Sequence, residues 1–354
     1  MIRLRLERRE RTPLWFNLAL PAFAVLATLL LCSGLVALAG ADVLEAYAHL
    51  FLTAVSSRFN LVETAVKASP LMLTGLAVAV AFRAKFWNIG GEGQLYAGAM
   101  AAAFVGGLMI PTPLLWPGMI LGGAAAGALW ALLPALLRTR FKVDDVVTTL
   151  LLNFILLYIM GALLDGPWKD PLSGYPDSPD IRMEAEFPTL PGLSRLHLGV
   201  AVSLLAAPLV WFLMQRTVLG FRIKAVGENP VAAAYAGIRT NRVILAAAAI
   251  SGALAGLAGS GEVGGVHFQV MADLSPGYGY TGIVIAMLAR LNPLGVVPAA
   301  FFFAIIITGA EGMSRATGVP VFLADVIQGV SLLTMLVALL FMQYRLRIAR
   351  SGHA

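Results

Sequence analysis

Residues 16–41 contain no charged side chain, and runs of this kind recur to the end of the chain. A helix needs about 20 mostly apolar residues to cross a hydrocarbon core. On that criterion spans fall near residues 17–41, 67–84, 90–110, 114–137, 146–164, 197–215, 242–262, 278–291, 294–312 and 320–342. Three of them are short or interrupted, and ten is the working count. Composition agrees: 59% of the residues are hydrophobic and 12% are charged, against about 25% charged in soluble domains, and the mean hydropathy is +0.84. Too few polar residues remain to cover a water-facing surface. A soluble globule, a disordered chain and a collagen-like fibre are all excluded. The expected fold is an all-α polytopic membrane protein, one transmembrane domain over residues 1–354.

Charge placement sets the orientation. The basic start (Arg3, Arg5, Arg8, Arg9, Arg11) precedes an apolar stretch too long for a signal peptide, so it reads as an uncleaved first span. With ten spans and both termini cytoplasmic, all basic residues fall inside except Arg58, Lys67, Lys169, Arg182, Arg195 and Arg315. That asymmetry is the positive-inside pattern, and it assigns the net charge of +6 to membrane topology, with no nucleic acid partner. The chain has one cysteine, Cys32, and four histidines, so neither an internal disulfide nor a cysteine metal site is expected. No G-x-x-x-x-G-K-[ST] loop is present, so the chain does not hydrolyse nucleotide by itself. No pairing of His, Ser or Asp marks an intramembrane enzyme.

Two segments carry mechanism. In FWNIGGEGQLYAGA, residues 86–99, Asn88, Gly90, Gly91 and Gly93 interrupt apolar sequence, and Glu92 and Gln94 add polarity where a span should begin. Such a segment reads either as an unwound helix lining a substrate path, where freed peptide groups act as ligands, or as a cytoplasmic turn capping the next helix. The second segment is the cytoplasmic loop 216–242. Asn229 suits an N-cap, Pro230 the first helical position and Gly237 the C′ position, which predicts a helix of about two turns outside the membrane. It either docks onto a separate motor or rests on lipid headgroups. The acidic extracytoplasmic loop 165–197 reads as a solvated, loosely ordered connection or as a landing surface for a soluble partner.

NIGGEGQ with LYAGA, then RTRFKVDDVVTTLLLNFI, DGPWKDP and KAVGENPVAAAYAGI, closely resemble the permeases of nucleoside ABC importers, within the ribose and branched-chain amino acid permease family. The resemblance spans nearly the whole chain. It implies the ABC importer permease fold, a second related permease subunit, two ABC ATPase subunits that use the ATP, and an extracytoplasmic substrate-binding protein, all at the cytoplasmic (inner) membrane. No cofactor is expected on this chain. By the same resemblance the ATPase-docking residues are Gly227, Glu228, Asn229, Pro230, Ala233 and Gly237. Alternating access coupled to ATP is the implied mechanism. A simple sugar or a branched-chain amino acid is the alternative cargo, and an ion-coupled secondary transporter the alternative class.

Asn88, Glu92, Gln94 and Asn153 are the candidate substrate-binding residues, because neutral polar groups suit an uncharged nucleoside. Thr149 and Asn153 share a helical face and serve either cargo or helix bridging. Glu262, Gln269 and Asp273 read as solvated at an outer span end. A faint internal similarity joins residues 74–83 (TGLAVAVAFR) to 281–290 (TGIVIAMLAR). The Gly-x-x-x-Gly spacings at 118/122, 123/127 and 252/256 allow close helix approach but are common in bundles.

Overall fold

The computed structural model describes residues 2–8, 14–190 and 192–350. Among them lie the helices α1 (Leu14–Leu38), α2 (Val43–Leu52), α3 (Arg58–Arg83), α4 (Gly91–Gly106), α5 (Thr112–Phe141), α6 (Asp145–Leu164), α7 (Leu198–Arg216), α8 (Val218–Glu228), α9 (Pro230–Tyr235), α10 (Thr240–Glu262), α11 (Tyr278–Leu288), α12 (Pro293–Thr317) and α13 (Val321–Gln343). Each of the ten expected spans has its helix. Six of these (α3, α5, α6, α7, α10 with its π-helical extension, and α12) are long and apolar enough to cross a membrane. Helix α2 has no counterpart among the expected spans, because ten residues are too few to cross.

The all-α expectation omits two short ribbons. Strand β1 (Ile2–Arg8) pairs antiparallel with β4 (Tyr344–Arg350), with Arg5 opposite Arg347. Both sequences, IRLRLER and YRLRIAR, alternate with the period of two that a strand requires. Strands β2 (Thr189–Leu190) and β3 (Leu193–His197) form the other ribbon.

The chain divides into two compact units, 1–57 with 305–354, and 58–304. In the first, Cys32, Val36, Ala46, Met313, Val319 and Ile327 pack together. The hydroxyls of Thr28 and Thr334 share a hydrogen bond of 2.6 Å, and Tyr47 donates to the Leu29 carbonyl at 2.5 Å. Such bonds tie helices together where apolar contact alone gives no preference over lipid.

In the second unit α3 is the central helix. Its most apolar window is 89% buried, against 22% for α6, so α3 lies inside the bundle and α6 turns apolar side chains such as Leu151 and Phe154 outward. Helices α5 and α10 cross through the spacings noted in the sequence. A Cβ on Gly127 would run into the Gly252 carbonyl, and one on Gly252 into the Gly127 carbonyl. Bare glycine is what lets these two backbones touch. The similar segments 74–83 and 281–290 lie against each other, since the Thr74 hydroxyl donates to the Tyr278 carbonyl at 3.0 Å and Arg83 donates to the Arg290 carbonyl at 3.3 Å. Helices α3 and α11 therefore run side by side in the same direction.

The loop 165–197 is more ordered than its composition indicates. Ser178 N donates to the Val270 carbonyl at 2.9 Å, Ile181 N to that of Phe268 at 2.8 Å and Phe187 N to that of Gly264 at 2.7 Å. Ile181, Ala185 and Phe187 are buried. These apolar residues anchor a loop whose acids face outward at Asp165, Asp180 and Glu184. Glu262 is also not solvated. It is buried at the end of α10, with its carboxyl 3.5 Å from the His267 imidazole across the π-helical turn Val263–His267.

His197, just outside α7, is 3% exposed and accepts from Gly199 N at 3.1 Å. Burial, then the nearby Arg195 charge, pushes its pKa down to about 4. A depressed pKa means that the unfolded chain takes up the proton first as pH falls. Stability is therefore complete above about pH 6.5 and declines toward pH 4 by about 1.4 kcal/mol per pH unit. His197→Asn keeps a capping acceptor without the titration. Thermal unfolding of the two proteins between pH 7 and pH 4 is expected to show a shallower decline for the variant. Parallel declines would remove His197 as the cause.

Candidate functional site

Between α3 and α4 the chain leaves the helix and its peptide N–H groups lose their helical acceptors. One face of α6 replaces them at four-residue intervals. Asp145 accepts from Trp87 N at 2.6 Å, Thr149 from Ile89 N at 3.1 Å and Asn153 from Gly93 N at 2.8 Å. The Asn153 amide also donates to the Ile89 carbonyl at 3.0 Å and to the Tyr280 hydroxyl at 3.2 Å. Arg138, at the end of α5, pairs with Asp145 and donates to the Lys85 carbonyl at 2.7 Å.

The side chains of the segment close the network from inside. Asn88 and Gln94 exchange two amide hydrogen bonds of 2.9 Å each, and Asn88 donates to the Ser251 hydroxyl on α10 at 2.9 Å. Glu92 lies where the N-termini of α4 and α11 meet, and its carboxyl accepts from Gly279 N at 2.7 Å. The bond between Thr74 and Tyr278 places this meeting point level with Thr74 of α3, about 13 Å along the helix from Arg83 at its end. The segment thus runs from the last turn of α3, where Phe86 N donates to the Ala81 carbonyl, to Glu92 level with the interior of α3.

All four candidate residues gather around one stretch of backbone and are buried: Asn88, Glu92, Gln94 and Asn153 are each at most 3% exposed. Their polar groups bond to protein. Trp130 of α5 differs, for its indole N–H lies beside Gly93 and has no acceptor among the described residues. Trp130 carries no mark in the sequence, because a tryptophan in GALWALL reads as core. The Arg138–Asp145 pair had a signal in the basic RTRFK followed by VDD, but its tie to Trp87 N did not.

These bonds predict a split among Asn153 variants. Asn153→Ala leaves Gly93 N and the Ile89 carbonyl without partners in a buried site, at about 1–3 kcal/mol for each group. Asn153→Asp retains the acceptor for Gly93 N. Thermal unfolding in mild detergent is expected to rank wild type above Asp above Ala, and equal midpoints would show that α6 does not hold the segment.

The loop 216–242 folds into α8 and α9. Asn229 caps α9, accepting from Val231 N and Ala232 N at 3.0 Å, Pro230 opens the helix, and Gly237 follows it with φ +80°. Of the six docking candidates, Gly227 and Ala233 are buried, and a Cβ on Gly227 would strike the Arg83 carbonyl at the end of α3. Glu228, Asn229, Pro230 and Gly237 are exposed. The outward face of α9 also presents Val231, 63% exposed, and Tyr235, 90% exposed. Their four-residue spacing puts both on one face, a signal available in the sequence that the cap residues overshadowed.

Residues 60–339 match the family model described as the permease component of branched-chain amino acid transport systems. The chain belongs to this permease family. It is 35% identical to the glucose ABC transporter permease protein TsgB13 of Haloferax volcanii, over 98% of this chain and 94% of that protein. It is 33% identical to the guanosine ABC transporter permease protein NupP of Bacillus subtilis, over 90% of this chain and 92% of that one. The nucleoside ABC transporter permease protein NupB of Lactococcus lactis is 31% identical, over 85% of each chain. The relatives are transport subunits, and with its apolar helices this permease is a multi-pass membrane protein. Within the permease, α9 meets α8 and α10, and α8 meets α3 through Gly227. Helix α9 is thus linked through α8 to α3, the helix beside the polar segment.

Proposed function

We propose that this permease is the membrane-spanning subunit of an ATP-driven importer whose cargo is a nucleoside. The observation that carries the cargo class is the bond from Gly279 N to Glu92. Two helix N-termini meeting inside a bundle make an anion site, the kind that would hold the carboxylate of an amino acid. Here the protein's own Glu92 occupies it. Apart from the mutually paired Arg138 and Asp145 at Trp87, the remaining groups are neutral amides, hydroxyls and the Trp130 indole, which match ribose hydroxyls and base edges. Glucose is the second reading, favoured by the 35% identity to the haloarchaeal permease; it too is an uncharged polyol.

The permease sits in the cytoplasmic membrane with ten spans and both termini inside, a topology supported by the pairing of β1 with β4, which brings the two ends to one side. A second related permease completes the pathway, and an extracytoplasmic binding protein delivers cargo to the side of loop 165–197. Partner ATPases receive α9 and hydrolyse ATP, and this chain binds no cofactor. Closure of the ATPases moves α9 and, through Gly227 and α3, the segment around Asn88–Gln94, whose side chains then exchange protein partners for cargo.

The test is ATP-dependent uptake of labelled guanosine, adenosine, uridine, glucose and leucine in cells with and without the gene. Loss of nucleoside uptake alone is expected. Loss of glucose uptake alone would transfer the cargo to the second reading. Uptake that follows an ion gradient and ignores ATP would overturn the importer itself. In the same assay Trp130→Phe is expected to raise KM several-fold with unchanged protein level, and an unchanged KM would remove Trp130 from the cargo path.

A further inference from the structure

A cavity of about 320 Å³ opens between α8 and α10, lined by Arg222, Arg239 and Arg242 with Leu219, Gly237 and Ile238. No carboxylate lines it, and none of the three guanidinium groups makes a hydrogen bond or ion pair among the described residues. Three like charges around one cavity repel each other, and a bound anion relieves that repulsion. Guanidinium groups favour phosphate in particular, since their planar forks match its oxygens.

The position of the cavity identifies which phosphate. Leu219 and Arg222 lie a few residues past the end of α7 at Arg216, and Arg239 and Arg242 flank the start of α10 at Thr240. Both helices are apolar enough to span, so the cavity lies at headgroup depth. Beside Arg222 on α8, Val218 and Phe221 are 66% and 65% exposed, an apolar shoulder suited to acyl chains and of no use to a free ion. We infer that Arg222, Arg239 and Arg242 form a binding site for the phosphate headgroup of one anionic phospholipid of the cytoplasmic leaflet. The lipid bridges α8 to α10 on either side of α9 and stiffens the loop that carries the exposed docking face. The site goes beyond the transport reading and does not depend on the cargo.

The test is native mass spectrometry of the full-length permease in neutral detergent, titrated with phosphatidylglycerol, phosphatidylcholine or inorganic phosphate. One phosphatidylglycerol is expected to bind in preference to phosphatidylcholine. Its affinity should fall about fivefold for each arginine removed in Arg222→Gln, Arg239→Gln and Arg242→Gln. Arg242→Lys should recover part of the loss, and Arg140→Gln, a cytoplasmic arginine outside the cavity, should change nothing. Should one of the glutamine variants fail to fold, the other two and Arg242→Lys carry the comparison. Displacement by millimolar inorganic phosphate would make this a free-anion site and overturn the lipid assignment. Equal binding of the two lipids would overturn it as well. So would wild-type lipid affinity in variants that lose only co-purifying ATPase, which would return the arginines to the protein interface.

Discussion

Val231→Asp with Tyr235→Asp is expected to abolish ATP-dependent uptake while the permease still accumulates folded in the membrane. Both side chains stand outward on α9, at 63% and 90% exposure, so neither supports the fold. A helix of six residues is marginal by itself. Its local order comes from the Asn229 cap, Pro230 and the buried Ala233, all untouched by the double variant. What the aspartates alter is the apolar patch proposed to meet the ATPase. Large aromatic and aliphatic anchors commonly dominate such contacts, at about 2 kcal/mol or more each, and burying two carboxylates there costs more again. Co-purification of the ATPase should be lost together with uptake. Retained ATPase binding and uptake would mean that α9 is not the docking element. Loss of the permease itself from the membrane would mean that α9 supports folding.

The second large effect is expected from Gly252→Leu. The new side chain would meet the Gly127 carbonyl and the Ala131 Cβ, 2.5 Å from the latter, in a crossing where neither helix backbone can give way locally. Overpacking of a tight core costs about 1–3 kcal/mol where side chains can shift, and here the obstacle is backbone. Lipid offers separated helices a comparable apolar environment, so close packing is a main source of their association. Folded, monodisperse permease should fall sharply in mild-detergent size exclusion. Gly161→Leu serves as the control, because nothing lies within 4 Å of its new Cβ. Equal yields of the two variants would show that α5 and α10 are not held by this contact.

Much of the molecule was legible in one dimension. Apolar runs located the helices because a bilayer demands about 20 apolar residues per crossing, a requirement that needs no partner to be read. The helix α9 was equally local, since Asn229, Pro230 and Gly237 act on their own backbone. The position of residues 88–94 was not. Their glycines announced a break, but a break at the surface and one inside the bundle look alike in sequence. Only the tertiary structure set its Glu92 end level with Thr74 and supplied Asp145, Thr149 and Asn153 to its peptide groups. Asn153 therefore serves, in this conformation, a backbone some 60 residues away in the chain. Trp130 and the three arginines around the cavity belong to the same class. An indole without an acceptor and charges without a counter-charge are defined by what surrounds them. Length, polarity and capping are properties of neighbouring residues, and the sequence by itself determined those. Which polar groups meet, and which are left without a partner, depends on helices distant in the chain, and only the tertiary structure decided that.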